Sequence, residues 1–275
     1  MARVELAGKP ILITGASSGI GRATAIACAN AGMAVFATAR RADKLETLVD
    51  EIERAGGRAA SRALDVDNPE ACAQCVQACV ERMGGVYAVF ANAGFGREGA
   101  AHEVTTEQVR ALFETNLFGS LHIIRPALGH MLDARSGHVL WCSSCLALLP
   151  TPYYSAYSAS KAAQHHFGRA MRVELRGTGV HSTTVHPIGT KTEFFETTNR
   201  ISGGAKLFRV DRDRFMQPAE RVARGVVGAL RRPKPEVWTS FPARVAFNMV
   251  GRFPRTADAL LVRAKHRRFG EAQEP

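Results

Sequence analysis

The chain has 275 residues, 46% of them hydrophobic and 22% charged, an ordinary globular balance that argues against disorder or a fibrous repeat. No run of about 18 apolar residues is present, so no membrane-spanning helix is expected. The net charge of +11 is uneven, with Lys plus Arg against Asp plus Glu at 19 to 18 over residues 1–199 and 17 to 7 beyond. A basic end of this kind suits an anionic membrane, nucleic acid or an acidic partner, or it is simply a solvated Arg-rich surface.

Met1 to Lys9 lead into the first apolar run without the stretch that marks a signal peptide, so a cytoplasmic location is expected. From there, strand-like runs alternate with helix-length amphipathic stretches, the pattern of repeated βαβ units. A strand over Pro10 to Thr14 precedes a helix from Gly19 to about Ala31, and a strand over Ala34 to Ala39 precedes one from Ala42 to about Ala55. Arg58 to Ala63 and a helix from Pro69 to Met83 follow. Next come Val86 to Ala91 and one long helical stretch from Thr105 to about Leu132. His138 to Cys142, a helix over Ala156 to Leu175, and Val180 to His186 complete the alternation. The fold class expected is α/β, a doubly wound parallel sheet with helices on both faces, whose ligands sit beyond the carboxyl ends of the strands. Residues 1–240 form a single Rossmann-type domain in this reading, with a lid over about 190–216 and a short strand near Val237. Residues 241–275 form a basic, amphipathic helical extension carrying Val245, Met249, Val250, Phe253, Leu260 and Leu261.

Six cysteines raise the question of a metal. Cys72-x-x-Cys75 and Cys142-x-x-Cys145 lie 66 residues apart, against about 15–20 in a zinc site. Cys72, Cys75 and Cys79 follow the spacing of a buried helix stripe, where free cysteine packs as a small hydrophobe. No metal is expected.

The first strand runs into Thr14-Gly15-Ala16-Ser17-Ser18-Gly19-Ile20-Gly21. Glycines there permit a tight turn and close approach of a pyrophosphate to the free N–H groups of the following helix. Tyr157 and Lys161 stand four apart, so a helix sets them on one face. A nearby ammonium favours the phenolate and brings a tyrosine toward useful acid–base strength. Tyr153 and Tyr154 have no Lys at that spacing. Asn116 sits within a helical pattern, where Asn is a poor helix former.

Read together, the glycine octapeptide, Asn92-Ala93-Gly94 after the fourth strand and Tyr157-x-x-x-Lys161 resemble the short-chain dehydrogenase/reductase family, from about Lys9 to Gln217 and more loosely to Arg232. The resemblance implies a nicotinamide cofactor held by Gly15, Ser17, Ser18, Gly19, Ile20 and Gly21, by Asp65 and Val66 at the adenine edge, and by Asn92, Ala93, Gly94, Tyr157, Lys161, Pro187 and Thr192. It implies Tyr157 as acid–base catalyst and Lys161 as ribose ligand. Ser144, thirteen residues before Tyr157, is favoured over Ser143 as the substrate-oxygen ligand, and Asn116 holds a water in a relay to the Lys. The family's Pro-Gly after the sixth strand is Pro187-Ile188 here, which puts the turn before Thr192 in question. At the end of the second strand, an acidic residue would exclude a 2′-phosphate. The chain has Ala39, Arg40 and Arg41 there, and guanidinium groups hold phosphate, so NADP(H) is expected.

The activity so implied is hydride exchange between NADP(H) and a carbonyl or alcohol. The walls expected are Phe95 to Glu98, Leu146 to Tyr154 and the lid, supplying Leu148, Leu149, Phe194, Phe195, Leu207 and Phe208. Such a lining predicts a hydrophobic ketone, aldehyde or secondary alcohol. The resemblance also implies a homodimer or homotetramer through the 105–132 and 156–175 helices. Peripheral membrane contact is a further expectation, with arginines of the extension at headgroups and Phe247 or Phe253 inserted. A non-catalytic NADP(H)-binding regulator is the alternative, since the fold alone does not require catalysis. Nucleic-acid binding lacks a recognition motif.

Overall fold

The computed structural model describes residues 3–203 and 216–269. Seven parallel strands form one sheet in the order β3-β2-β1-β4-β5-β6-β7. They are β1 (Pro10–Thr14), β2 (Ala34–Ala39), β3 (Arg58–Ala63), β4 (Ala88–Ala91), β5 (Gly137–Cys142), β6 (Val180–His186) and β7 (Glu236–Trp238). The chain builds outward from β1 to β3, then returns to β4 and builds the other way. The reversal opens a crevice above the carboxyl ends of β1 and β4, the place where such sheets bind ligands.

Helices cover both faces, so the central strands are apolar throughout: every residue of β2, β4 and β5 is buried. The two-residue strand period sorts the core into two layers. Ile11, Ile13 and Val35 face one side, where α1 (Gly19–Asn30) and α2 (Ala42–Arg54) pack; Leu12, Phe36 and Val139 face the other. On that second side lies α3 (Pro69–Met83), which presents Cys72, Cys75 and Cys79 to the core as their spacing predicts. All six cysteines are free and buried. β3 is one of the two edge strands, and its exposed Arg58 and Arg62 suit a position where bare apolar residues would invite mispairing.

The stretch from Thr105 to Leu132 is not one regular helix. A capping box of Thr105 and Gln108 starts α4 (Thr106–Phe113). A π-turn over Glu114–Phe118 follows, and then α5 (Gly119–Asp133). α6 (Ser155–Glu174) comes down close on the sheet. An added Cβ at Gly168 would stand 2.4 Å from Thr184 Cγ2 and 3.0 Å from Trp141 Cδ1, so only glycine allows this approach.

Beyond β6 lie α7 (Phe194–Ile201), inside the expected lid, and α8 (Ala219–Arg231). The helix α8 was not expected from the sequence: AERVARGVVGALR contains Gly225 and Gly228, both poor helix formers. Packing outweighs propensity here. Val222, Val226 and Leu230 are fully buried in the core layer that includes α1. After β7, the extension folds as α9 (Phe241–Arg252) and α10 (Pro254–Phe269). No helix among the described residues is long and apolar enough to cross a membrane.

Because Leu230 has no exposed surface, Leu230→Ala should lower unfolding stability by about 2–5 kcal/mol, measured by urea denaturation. A loss below about 1 kcal/mol would show that α8 contributes little to the core.

Candidate active site

The cleft above β1 and β4 begins at the glycine turn. Ser18 takes the N-cap position of α1 in extended conformation without closing the helix by a side-chain hydrogen bond, and no acidic residue occupies the first turn. The positive end of the helix is therefore left to a ligand. Gly21 lies beneath the turn and not in the cleft wall. A Cβ there would stand 2.3 Å from the Gly15 carbonyl oxygen, so glycine lets the turn fold back onto its helix.

Thr14 fixes the neighbouring segment. Its buried hydroxyl oxygen accepts the N–H groups of Asn92 and Ala93, both at 3.0 Å, while Asn92 Nδ2 donates to the Thr14 carbonyl at 2.9 Å. These bonds lock the ends of β1 and β4 together and present Ala93 and Gly94 to the cleft. Asp65 and Val66 line the same side.

Arg40 and Arg41, both exposed, stand at the outer mouth of the cleft. Arg41 donates to Ser17 Oγ from Nε and Nη2 at 3.3 and 3.0 Å, and its Nη1 reaches Glu193 at 2.8 Å across the cleft. Glu193 had no role in the sequence reading, because nothing in the primary structure marks a partner 152 positions away. Thr192 closes over the turn against Gly19. Ile188 causes no distortion: it is not among the residues with positive φ, so its place does not demand glycine.

At the inner end, Ser144, Tyr157 and Lys161 converge, all buried and all lining the cleft. Ser143 is committed elsewhere, donating to the Lys161 carbonyl at 2.8 Å. Ser144 caps a short 3-10 turn by accepting from Leu146 N at 3.1 Å. Burial raises the Tyr157 pKa, and the Ser144 hydroxyl opposes that shift. Lys161 Nζ lies 5.7 Å from the Tyr157 ring centroid and donates to the Cys142 carbonyl at 2.9 Å and Gln164 Oε1 at 2.8 Å. Burial pushes the Lys161 ammonium down to about 8.

Asn116 stands apart from the cleft wall, fully buried in the π-turn. Its side chain donates to the Phe95 carbonyl and Ser160 Oγ and accepts from Phe95 N. The π-turn frees its carbonyl, which accepts Gln164 Nε2 and Ser120 Oγ. Asn116 thus connects to Lys161 through Gln164. That residue had no place in the sequence reading, although a Gln three positions after the Lys on one helix face was the available signal.

The cleft measures about 620 Å³. Phe95, Leu149, Tyr154, Phe194 and Phe195 line its substrate end, together with Met216 and Phe247. Leu148 instead faces a separate outer groove. Leu207 and Phe208 lie outside the described residues. Tyr154 is tied to the buried Glu98 carboxylate by a hydrogen bond from its hydroxyl.

A turn, a switch point and a Ser-Tyr-Lys centre in this arrangement define a dinucleotide-binding oxidoreductase. The short chain dehydrogenase family model matches residues 9–202, and the chain belongs to that family. An uncharacterized oxidoreductase of Myxococcus xanthus is 37% identical over 71% of this chain and 77% of its own length. A fatty acyl-CoA reductase of Mycobacterium tuberculosis is 33% identical over 80% of this chain and 76% of its own. Among solved structures, a family member from Burkholderia phymatum in complex with NAD superimposes with a TM-score of 0.83 at 24% identity, covering 92% and 96% of the two chains. An alcohol dehydrogenase of Thermococcus sibiricus, complexed with 5-hydroxy-NADP, gives 0.73 at 28% identity, covering 83% and 94%.

Proposed function

We propose that this oxidoreductase uses NADP(H) to interconvert a hydrophobic ketone or aldehyde with the corresponding alcohol, with Tyr157 as acid and base. One observation carries the reading: Ser144, Tyr157 and Lys161 meet at the inner end of a cleft whose outer end has Arg40, Arg41 and no carboxylate at Ala39. The residues fit a dinucleotide. The uncapped end of α1 suits its pyrophosphate, Thr192 and Pro187 on the cleft wall would hold the nicotinamide, and Arg40 and Arg41 suit a 2′-phosphate. When bound, the nicotinamide supplies or accepts the hydride.

The chain's residues handle the oxygen and the proton. Ser144 and Tyr157 donate hydrogen bonds to the carbonyl oxygen, and these strengthen as negative charge develops on it. The raised pKa of Tyr157 keeps its proton at neutral pH, as a donor in reduction requires. Lys161 stabilises the phenolate left behind. Gln164 and Asn116 connect that ammonium to the Phe95 backbone and hold it in place.

An apolar substrate is supported by the phenylalanines at the substrate end, and the fatty acyl-CoA reductase among the relatives acts on a substrate with that character. Contact with an anionic lipid surface is part of the same proposal. The outer face of α9 presents Phe241, Val245 and Met249 at four-residue steps, 73%, 42% and 51% exposed, beside Arg244 and Arg252. Phe253 is also exposed. Of the two aromatic residues named for this contact, Phe253 is the outward one, whereas Phe247 stacks with Trp238 and lines the cleft.

Tyr157→Phe should keep NADPH affinity within about threefold and lose at least about 100-fold in turnover of a hydrophobic ketone, followed by NADPH absorbance. Unchanged turnover would remove Tyr157 from the mechanism, and equal use of NADH would remove the arginines from cofactor choice.

Lys161 carries its charge below about pH 8 and loses it as the pH rises through that value. The kcat/KM for reduction should therefore be level at lower pH and fall above about 8. A profile flat to pH 10 would separate the Lys161 charge from catalysis.

Vesicles containing phosphatidylserine should sediment the protein at low salt and release it at about 0.5 M salt, where the Debye length is only a few ångströms. Failure to bind at low salt would end the membrane part of the proposal.

A further inference from the structure

Outside the cleft, three side chains from three elements converge beneath the Ser144 turn. His165 comes from α6, His186 from the end of β6, and Glu236 from the start of β7. One ligand-capable atom from each lies within 4.8 Å of the other two, the one grouping of this kind among the described residues. None of the three lines the cleft, and the oxidoreductase chemistry makes no use of them.

The geometry points to a site for a zinc-class divalent cation, bound by His165 Nδ1, His186 Nε2 and a Glu236 carboxylate oxygen, with a water as fourth ligand. His165 Nδ1 and His186 Nε2 are 3.3 Å apart. Two nitrogens bound to zinc at about 2.0–2.1 Å in a tetrahedron are separated by about 3.3–3.4 Å, so the pair already spans one edge.

Two of the three side chains, His186 and Glu236, have the outer contacts that metal ligands need. His186 Nδ1 donates to the Ser144 carbonyl at 3.0 Å; since a carbonyl only accepts, the proton sits on Nδ1 and the lone pair on Nε2. Trp238 Nε1 donates to Glu236 Oε2 at 2.9 Å and anchors the carboxylate. The Trp238 ring stacks on His186 with centroids 4.5 Å apart and forms an apolar wall. Both histidines are buried, which disfavours the charged imidazolium and suits neutral, ligating rings.

Charge balance identifies the competitor. Two neutral imidazoles and one carboxylate give the cluster a net charge of about −1. The half-exposed Arg244 guanidinium on α9 stands 3.8 Å from Glu236 Oε2 and provides the balancing charge. A divalent cation would take over that role and displace Arg244. Removing Arg244 should therefore tighten metal binding, the opposite of what loss of a supporting contact would do. Through His186 and the Ser144 carbonyl, the bound ion would brace the turn that carries the candidate substrate ligand. The site would be structural and separate from the hydride chemistry.

The test is titration of the full-length, chelator-treated protein with Co²⁺, followed by competition with Zn²⁺. The expected result is one Co²⁺ per chain with the strong visible absorption of four-coordinate cobalt, bleached by one equivalent of Zn²⁺. His165→Ala and Glu236→Gln should each weaken binding by more than about 100-fold, beyond what loss of an indirect partner costs. His166→Ala, a change at the exposed neighbour of His165, should leave binding unchanged, and Arg244→Ala should strengthen it several-fold. Circular dichroism of each variant in chelator shows whether it is folded, and the wild-type titration stands without any variant. Absence of the four-coordinate spectrum in wild type, uptake that survives His165→Ala, or weaker binding in Arg244→Ala would each overturn the proposal. Cofactor affinity and turnover of the metal-free protein are read separately, so failure here leaves the oxidoreductase reading untouched.

Discussion

Lys161 sets the terms for the centre of this molecule. An ammonium group only 4% exposed must be met by oxygen atoms, since an unpaired buried charge is too costly to keep. The Cys142 carbonyl at the end of β5 and the Gln164 side chain on α6 supply two. Gln164 is itself held by the Asn116 carbonyl, which lies in the π-turn, and by Ser120 Oγ at the start of α5. Ser143 holds the Lys161 main chain from the other side. Strand β5, helix α6 and the π-turn are thus bound into one network around a single charge. Burial lowers the ammonium's pKa to about 8, and the oxygens of the network oppose that shift by stabilising the charge.

Much of this architecture could be read from the sequence because the signals are local and repeated. Strands such as Ala34–Ala39 are buried on both faces and appear as continuous apolar runs, while Asn68-Pro69 marks the start of α3 through an N-cap and a proline at the first helical position. The glycine turn and the Tyr157–Lys161 pair, which the fold brings to one cleft, were legible because each is a short motif of fixed spacing. The π-turn was not, since its only trace is an Asn in a helical pattern, and the extra residue per turn leaves no periodic mark. Helix α8 was concealed by two glycines that burial against α1 compensates. Arg41–Glu193 and His165–His186–Glu236 join distant positions and exist only once the sheet order is known.

The arginines singled out above fall in two parts of the chain. Arg40 and Arg41 stand at the cleft mouth among residues whose net charge is near balance, so their significance lies in position. The arginines of α9 belong to the strongly basic end. Arg244 borders the outward apolar face and also neutralises Glu236. One helix therefore connects the surface, the cleft through Phe247 and the histidine cluster.

Gly168 gives α6 its height above the sheet, because any side chain would strike Thr184 and Trp141. Lys161 is seven residues back along the same helix, about 10 Å at 1.5 Å per residue. The helix behaves as a rigid beam resting on that contact. A single methyl group at the resting point would tilt the beam and move the ammonium at its far end without touching the cleft. The position of Lys161 in the cleft is therefore set at a distance, by the absence of an atom.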